Sequence, residues 1–159
     1  FELLVTSPLS VFDIVFGKFL GVSFILFIMT TLMFGFPALL IFFGDPMPEI
    51  PPIITGYLGV LMCGLAFTSI GMAVSSFTEN QIVAAVSSMV ALLLLYVIQS
   101  PAETIGGNFG EALTYLSPVI QLKDMLKGVV SLKAIIYFLS VIIFGIFMSQ
   151  RALEAYRWR

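Results

Sequence analysis

Residues 50–78 read IPPIITGYLGVLMCGLAFTSIGMAVSSFT and contain no charged side chain. Three further runs also lack Asp, Glu, Lys and Arg: residues 19–44, 80–102 and 134–150. A predominantly apolar, charge-free run of about 18 or more residues is a candidate membrane-spanning helix. The last run reaches that length if the flanking Lys133 and Arg151 extend their charged groups to the membrane interfaces. The sequence therefore predicts an all-α integral membrane protein, with four transmembrane helices in a single transmembrane domain over residues 1–159.

The composition excludes several classes of protein. Hydrophobic residues make up 60% of the chain and charged residues 10%, whereas a typical soluble domain is about 45–50% apolar and about 25% charged. Seven basic residues in a chain of net charge −2 provide no basic face for nucleic acid. Without histidine the chain has no imidazole metal ligand and no Ser–His nucleophile pair. We expect no catalytic, cofactor or metal site, and the single Cys63 is expected to be a small buried hydrophobe.

The predicted spans cover about residues 19–43, 53–77, 81–98 and 132–150. Ser10 followed three residues later by Asp13 is a capping-box pattern, so a helix is expected to begin there and continue into the first span. Thr78 followed by Gln81 repeats this pattern before the third span. Because the connection at this point is short, the second and third spans should form an antiparallel hairpin.

Residues 99–131 form a long segment between the third and the last span. Ser117 followed by Pro118 is typical of a helix start, and Gly128 can end the same helix. One face of this short helix is expected to be apolar and to comprise Val119, Leu122, Met125 and Leu126. The pattern predicts an amphipathic helix that lies at the membrane surface or dips into it.

Four spans place both ends of this sequence on the same side of the membrane. That side carries basic residues close to the spans: Lys18, Arg151, Arg157 and Arg159. The opposite side carries Lys123, Lys127 and Lys133. By the positive-inside rule both ends are predicted to be cytoplasmic, and residues 99–131 extracytoplasmic.

The spans contain small and weakly polar residues at helical spacing. They are Gly64, Thr68, Gly71 and Ser75 in the second span, with Ala84 and Ser88 in the third. Small residues at such spacings allow close approach of helix backbones. The same residues could instead line a translocation surface, and the pattern does not separate the two roles. Since no span contains an ionisable acid or base, a proton relay within the chain is not expected.

The first 17 residues and the turn at Thr78-Glu79-Asn80 each have two interpretations. Residues 1–17 form either an interfacial helix that anchors the first span or a cytoplasmic docking element that presents Glu2 to a soluble partner. The turn would lie on the same side of the membrane. It either caps the third helix only or also contacts that partner.

Two short motifs resemble a known family. The string ELLVTSPLS at residues 2–10, followed by Gly17-Lys18-Phe19, resembles the coupling-helix region of ABC-2 type transporter permeases. The residues that carry this resemblance are Glu2, Leu3, Leu4, Thr6, Ser7 and Pro8. The string SSFTENQ at residues 75–81 is similar to the family's cytoplasmic turn between its fourth and fifth spans. Residues 116–118 and 151–159 are similar to the subset related to gliding-motility permeases.

The resemblance implies a permease subunit of an ATP-driven transporter, expected to be an exporter in a bacterial cytoplasmic (inner) membrane. Such a subunit pairs with a second permease subunit, identical or related, and docks a separate ATPase that binds ATP and magnesium. This chain is not expected to be an enzyme, because Gly17-Lys18-Phe19 lacks the upstream glycine and the hydroxyl of a phosphate-binding loop. Docking contacts are expected at the six residues named above, Glu2, Leu3, Leu4, Thr6, Ser7 and Pro8, and at Glu79 and Asn80.

Family members have six spans, and the coupling helix lies between the second and the third. The four spans of this sequence therefore correspond to the third to sixth, and two N-terminal spans are expected outside it. The alternative interpretation is a non-transporting membrane protein, namely an assembly or anchoring subunit whose spans only pack against partners.

Overall fold

The computed structural model describes residues 10–46, 48–98, 100, 104 and 107–157. Seven helices have both ends within these residues: α1 Val11–Met33, α2 Gly35–Phe43, α3 Ile50–Ser75, α4 Gln81–Val97, α5 Gly107–Leu116, α6 Pro118–Leu126 and α7 Leu132–Arg157. The described part of the chain contains no β-strand. The prediction of an all-α protein is confirmed.

Three helical stretches are long and apolar enough to cross a membrane. They are Val11–Phe43, Ile50–Ser75 and Leu132–Ala155, with 33, 26 and 24 residues. The fourth predicted span is the apolar helix α4, which has 17 residues. At 1.5 Å per residue α4 is about 26 Å long, slightly less than a hydrocarbon core of about 30 Å.

The outer surface of the bundle is strongly apolar. The most hydropathic window of Val11–Phe43 has no buried residue, and Phe42 and Phe43 are more than four-fifths exposed. Soluble monomers rarely expose contiguous apolar patches larger than a few hundred Å². This surface and the lengths of the three helical stretches are consistent with a membrane location.

The cap at the start of α1 agrees with the sequence, whereas the cap at the start of α4 does not. The backbone N–H of Asp13 donates to Ser10 Oγ at 3.2 Å and Ser10 N–H donates to Asp13 Oδ2 at 3.1 Å, which completes the predicted capping box. α4 begins at Gln81 as expected, but its N-cap is Asn80 and not Thr78. The Asn80 side chain accepts from the N–H groups of Ile82 and Val83. The cap of α4 is therefore Asn80, and the predicted capping box of Thr78 with Gln81 is not the one that begins this helix.

The helix that contains the first predicted span begins at Val11, directly after the predicted cap Ser10, and is interrupted at Phe34. Pro37 explains the break. Proline has no backbone N–H, and its ring clashes with the carbonyl group four residues earlier in a regular helix. That carbonyl belongs to Met33, the last residue of α1.

The core lies where α3 packs against α7. The buried residues of α3 include Gly59, Cys63, Ala66, Ser69 and Ala73. The buried residues of α7 include Ala134, Phe138, Ile142, Gly145 and Ser149. α1 contacts both helices and buries Phe19 in the same cluster. The prediction that Cys63 is a buried small hydrophobe is confirmed.

Helices α5 and α6 occupy the predicted segment between the third and last spans. α6 begins after Ser117 as expected, and Gly128 closes it with φ +88°. α5 has no counterpart in the sequence prediction. The buried face of α6 also differs from the prediction, because Gln121 is buried while Leu126 is 49% exposed. α6 contacts α3 through Leu122, Met125 and Leu126, which lie beside Gly59 and Gly56.

Candidate functional site

The chain reversals bring several helix ends together. The end of α3 and the start of α4 meet at residues 76–80, and their helices pack as an antiparallel hairpin. Pro52 lies beside Gly128, just before α7, and Ser69 lies beside Gly145, so α3 and α7 run in the same direction. The end of the bundle that contains residues 76–80, the start of α1 and the end of α7 is called the turn end below.

The turn at residues 76–80 is held by its own hydrogen bonds. Ser76 Oγ donates to the Met72 carbonyl at 2.8 Å. Asn80 Oδ1 accepts from the backbone N–H groups of Ile82 and Val83 at 2.9 and 3.4 Å. These bonds satisfy donors that a helix start otherwise leaves unpaired. Asn80 therefore has a structural role in capping α4.

Glu79 is the second docking candidate in this turn. Its side chain is exposed and forms no ion pair within the described residues. Glu154, on α7, differs because its carboxylate accepts from Gln150 Nε2 at 2.9 Å and from Arg151 at 3.2 Å. Glu79 thus leaves a carboxylate available at the turn end. The other docking candidates, Glu2, Leu3, Leu4, Thr6, Ser7 and Pro8, lie outside the described residues.

The first small residue of the predicted stripe on α3 contacts α1. A Cβ atom added to Gly64 would lie 2.8 Å from Leu26 Cδ2 of α1. The Thr68 hydroxyl donates to the Gly64 carbonyl at 2.9 Å, within the same helix. Gly64 therefore permits the approach of α1, and Thr68 uses its hydrogen-bond donor locally.

The other end of the stripe faces α4. Ser88 Oγ donates to the Gly71 carbonyl at 3.3 Å, which is a hydrogen bond between the two helices of the hairpin. Ala84 is buried on α4, while Ser75 is exposed at the end of α3. The structure thus brings Gly71 and Ser88 together. The stripe on α3 contacts two different helices, α1 at Gly64 and α4 at Gly71.

The closest helix contact lies elsewhere and involves residues that the sequence analysis did not select. A Cβ atom added to Gly145 would lie 2.7 Å from both the carbonyl carbon and Oγ of Ser69. Ser69 is fully buried, and its hydroxyl donates to Ala66 at 2.7 Å and to Val141, on α7, at 3.4 Å. The spacing of Gly145 and Ser149 was an available signal for this contact, because small residues four apart are typical of helix packing in membranes.

Three hydroxyl groups satisfy carbonyl groups at the ends of other helices. Tyr57 Oη donates to Met33 of α1 at 2.6 Å. Thr55 Oγ1 donates at 2.7 Å to the carbonyl of Met125 of α6, which also accepts from the Gly128 N–H at 3.2 Å. Tyr137 Oη donates to Leu116 of α5 at 2.7 Å. A helix leaves its last four carbonyls without internal partners, and an unsatisfied backbone group is costly where water is absent.

The chemistry available to the described residues is that of packing and docking. Among them no group of three or more His, Cys, Asp or Glu residues is placed to hold a metal ion. The hydroxyl groups of α3 described above donate to backbone carbonyls. The exposed groups at the turn end, Glu79 in particular, are the ones that a soluble partner could contact.

Comparison of the chain with protein-family models, curated proteins and solved structures gives no match. The resemblance to ABC-2 type permeases therefore rests on the short motifs described above.

Proposed function

We propose that this chain belongs to a permease subunit of an ABC transporter and couples an external ATPase to a membrane bundle. In this proposal α1 with α2, α3, α4 and α7 are the four spans of a bacterial inner-membrane protein, and both ends of the sequence are cytoplasmic. α5 and α6 form the extracytoplasmic segment before the last span, with α6 at the membrane surface. The short span α4 is accommodated by local thinning of the bilayer.

The observation that carries the proposal is the combination of spans whose middle parts are free of charge with a charged, exposed turn end. The three long apolar stretches contain acidic or basic residues only near their ends: Asp13 and Lys18 in Val11–Phe43, none in Ile50–Ser75, and Lys133, Arg151 and Glu154 in Leu132–Ala155. The middle of these stretches therefore holds no acidic or basic group that could drive transport by itself. An ATPase at the turn end would supply the energy, with ATP and magnesium bound in that partner.

The packing offers a route by which docking could move the spans. Glu79 lies in the turn that joins α3 and α4, so a displacement of this turn acts on both helices. α3 in turn contacts α7 through Ser69 and Gly145 with almost no space between the backbones. Closely packed interiors deform little, so α3 and α7 would move as a unit when the ATPase closes. A second permease subunit would complete the translocation path.

Charge reversal at the docking element tests the proposal. Glu2→Lys in the full-length protein should abolish co-purification of the ATPase and leave membrane insertion intact, because only the cytoplasmic contact is changed. Glu49→Lys is the matched control, since it introduces the same charge change at an exposed residue beyond the opposite end of α3. Equal ATPase recovery with Glu2→Lys and with the unmodified protein would contradict the docking assignment.

One observation favours the alternative, a non-transporting assembly or anchoring subunit. The hydroxyl protons of Thr68 and Ser69 are both used in hydrogen bonds to backbone carbonyls, so neither residue has a free hydrogen-bond donor to offer a substrate. Under this alternative, purification should recover integral membrane partners and no soluble ATPase.

A further inference from the structure

The break in the first span leaves one backbone carbonyl without its helical partner. In a continuous helix the Met33 carbonyl would accept from the N–H of residue 37, but residue 37 is proline and has no N–H. The chain at Phe34 turns, and the Phe34 N–H donates instead to Thr31 at 3.1 Å. The new segment α2 begins at Gly35.

One side chain of α3, that of Tyr57, contacts both residues at this break, Met33 and Phe34. Tyr57 Oη donates to the Met33 carbonyl at 2.6 Å. The ring of Tyr57 also packs edge-on against the ring of Phe34, with 5.1 Å between centroids and 64° between planes. Tyr57 therefore supplies the hydrogen bond that Pro37 removes and packs against the residue that separates α1 from α2.

The segment beyond the break is weakly attached to the rest of the bundle. Within α2 only Pro37 is buried. Phe36, Phe42 and Phe43 are 72%, 81% and 85% exposed. A Cβ atom added to Gly35 would meet nothing within 4 Å. The contacts of Tyr57 with Met33 and Phe34 lie immediately before α2, at the point from which the direction of α2 is set.

We propose that Phe34 is a hinge between α1 and α2 and that Tyr57 is the latch that holds one orientation of α2. With nine residues, α2 is about 14 Å long. A pivot of about 20°, the size at which a helix bend counts as a sharp kink, moves its tip by about 5 Å. This device is independent of the identity of any ATPase or substrate.

Distance measurements between spin labels test the latch. Labels are placed at two exposed positions, Phe43→Cys at the tip of α2 and Ile136→Cys on α7, in a Cys63→Ala background and in lipid nanodiscs. Tyr57→Phe keeps the ring and removes the hydrogen bond, so we expect the distance distribution to broaden or shift by about 5 Å, as a 20° pivot requires.

Tyr137→Phe is the matched control for this experiment. It removes an equivalent hydroxyl–carbonyl hydrogen bond, to Leu116 on α5 at 2.7 Å, and should leave the distance from Phe43 to Ile136 unchanged. An unchanged distribution with Tyr57→Phe, or equal broadening with both variants, would overturn the proposal.

Pro37→Ala provides a second, independent test. It restores an N–H at residue 37, so the Met33 carbonyl regains a helical donor and the hinge should stiffen. In the Pro37→Ala background Tyr57→Phe should then have no further effect on the distribution. If Tyr57→Phe broadens the distribution as much in the Pro37→Ala background as in the chain that retains Pro37, the hydrogen bond is not the latch and the proposal fails.

Discussion

Replacement of Gly145 by alanine tests the packing of α3 against α7 at its closest point. The new methyl group would lie 2.7 Å from the Ser69 carbonyl carbon and 2.8 Å from Ser69 Cβ. The carbonyl carbon belongs to the backbone of α3, so a change of side-chain rotamer cannot remove the clash. The two helices would have to separate, and the neighbouring hydrogen bond from Ser69 to Val141 would lengthen.

Two opposing effects set the magnitude of this change. Alanine favours a helix interior over glycine by about 1 kcal/mol, whereas an extra methyl group in a well-packed core costs about 1–3 kcal/mol. Because the clash involves backbone, we expect a cost near the upper end of that range. The net loss in the free energy of unfolding for Gly145→Ala should therefore be about 2 kcal/mol.

Gly71→Ala is the matched control, because a Cβ atom at Gly71 meets nothing within 4 Å. At this position only the preference of a helix for alanine over glycine remains. The free energy of unfolding of the control should therefore rise by up to about 1 kcal/mol. Reversible unfolding in mixed lipid–SDS micelles, followed by circular dichroism, measures both variants. If Gly145→Ala is as stable as Gly71→Ala, α3 and α7 do not meet at Gly145 and the packing described above is wrong.

The remaining predictions concern caps and topology. Thr55→Val removes the donor to the last turn of α6 and should lower the free energy of unfolding by about 1–2 kcal/mol, measured in the same micelles with Thr55→Ser as the rescuing variant. Asn80→Ala should cost about 1 kcal/mol through loss of the α4 cap, whereas Asn80→Ser retains a cap and should cost much less; equal losses would contradict the capping role. Single cysteines introduced at Glu79 and Glu49 should react with an impermeant maleimide from the cytoplasmic and the opposite side of the membrane, respectively, and labelling of both from one side would contradict the hairpin of spans.

Local sequence patterns predicted the helices well because their causes are local. The charge-free runs defined the long apolar helices, and Ser10 with Asp13 formed the expected capping box. Pro118 and Gly128 defined α6 for the same reason, since each restricts the backbone at its own position. The break at Phe34 had an equally local cause in Pro37. The donor that satisfies the Met33 carbonyl at this break, Tyr57, comes from another helix.

Packing was harder to predict because α3 is apolar or small on every face. Gly64 and Cys63 are equally compatible with a buried position, and only the approach of α1 and α7 assigns them their neighbours. Gln121 shows the same effect, since a polar residue was expected to face outward and the packing of α6 in the bundle buries it. Contacts between helices distant in sequence decide these positions, and periodicity carries little information when a helix has no polar face.

The measurement that tests the proposed function most directly is affinity purification of the tagged full-length protein from native membranes in a mild detergent, with co-eluting proteins identified by mass spectrometry. Coupling through the turn end predicts a soluble ATPase in near-equal amount and its loss with Glu2→Lys. Recovery of integral membrane proteins alone, with no ATPase, would contradict the permease assignment and favour an assembly or anchoring role.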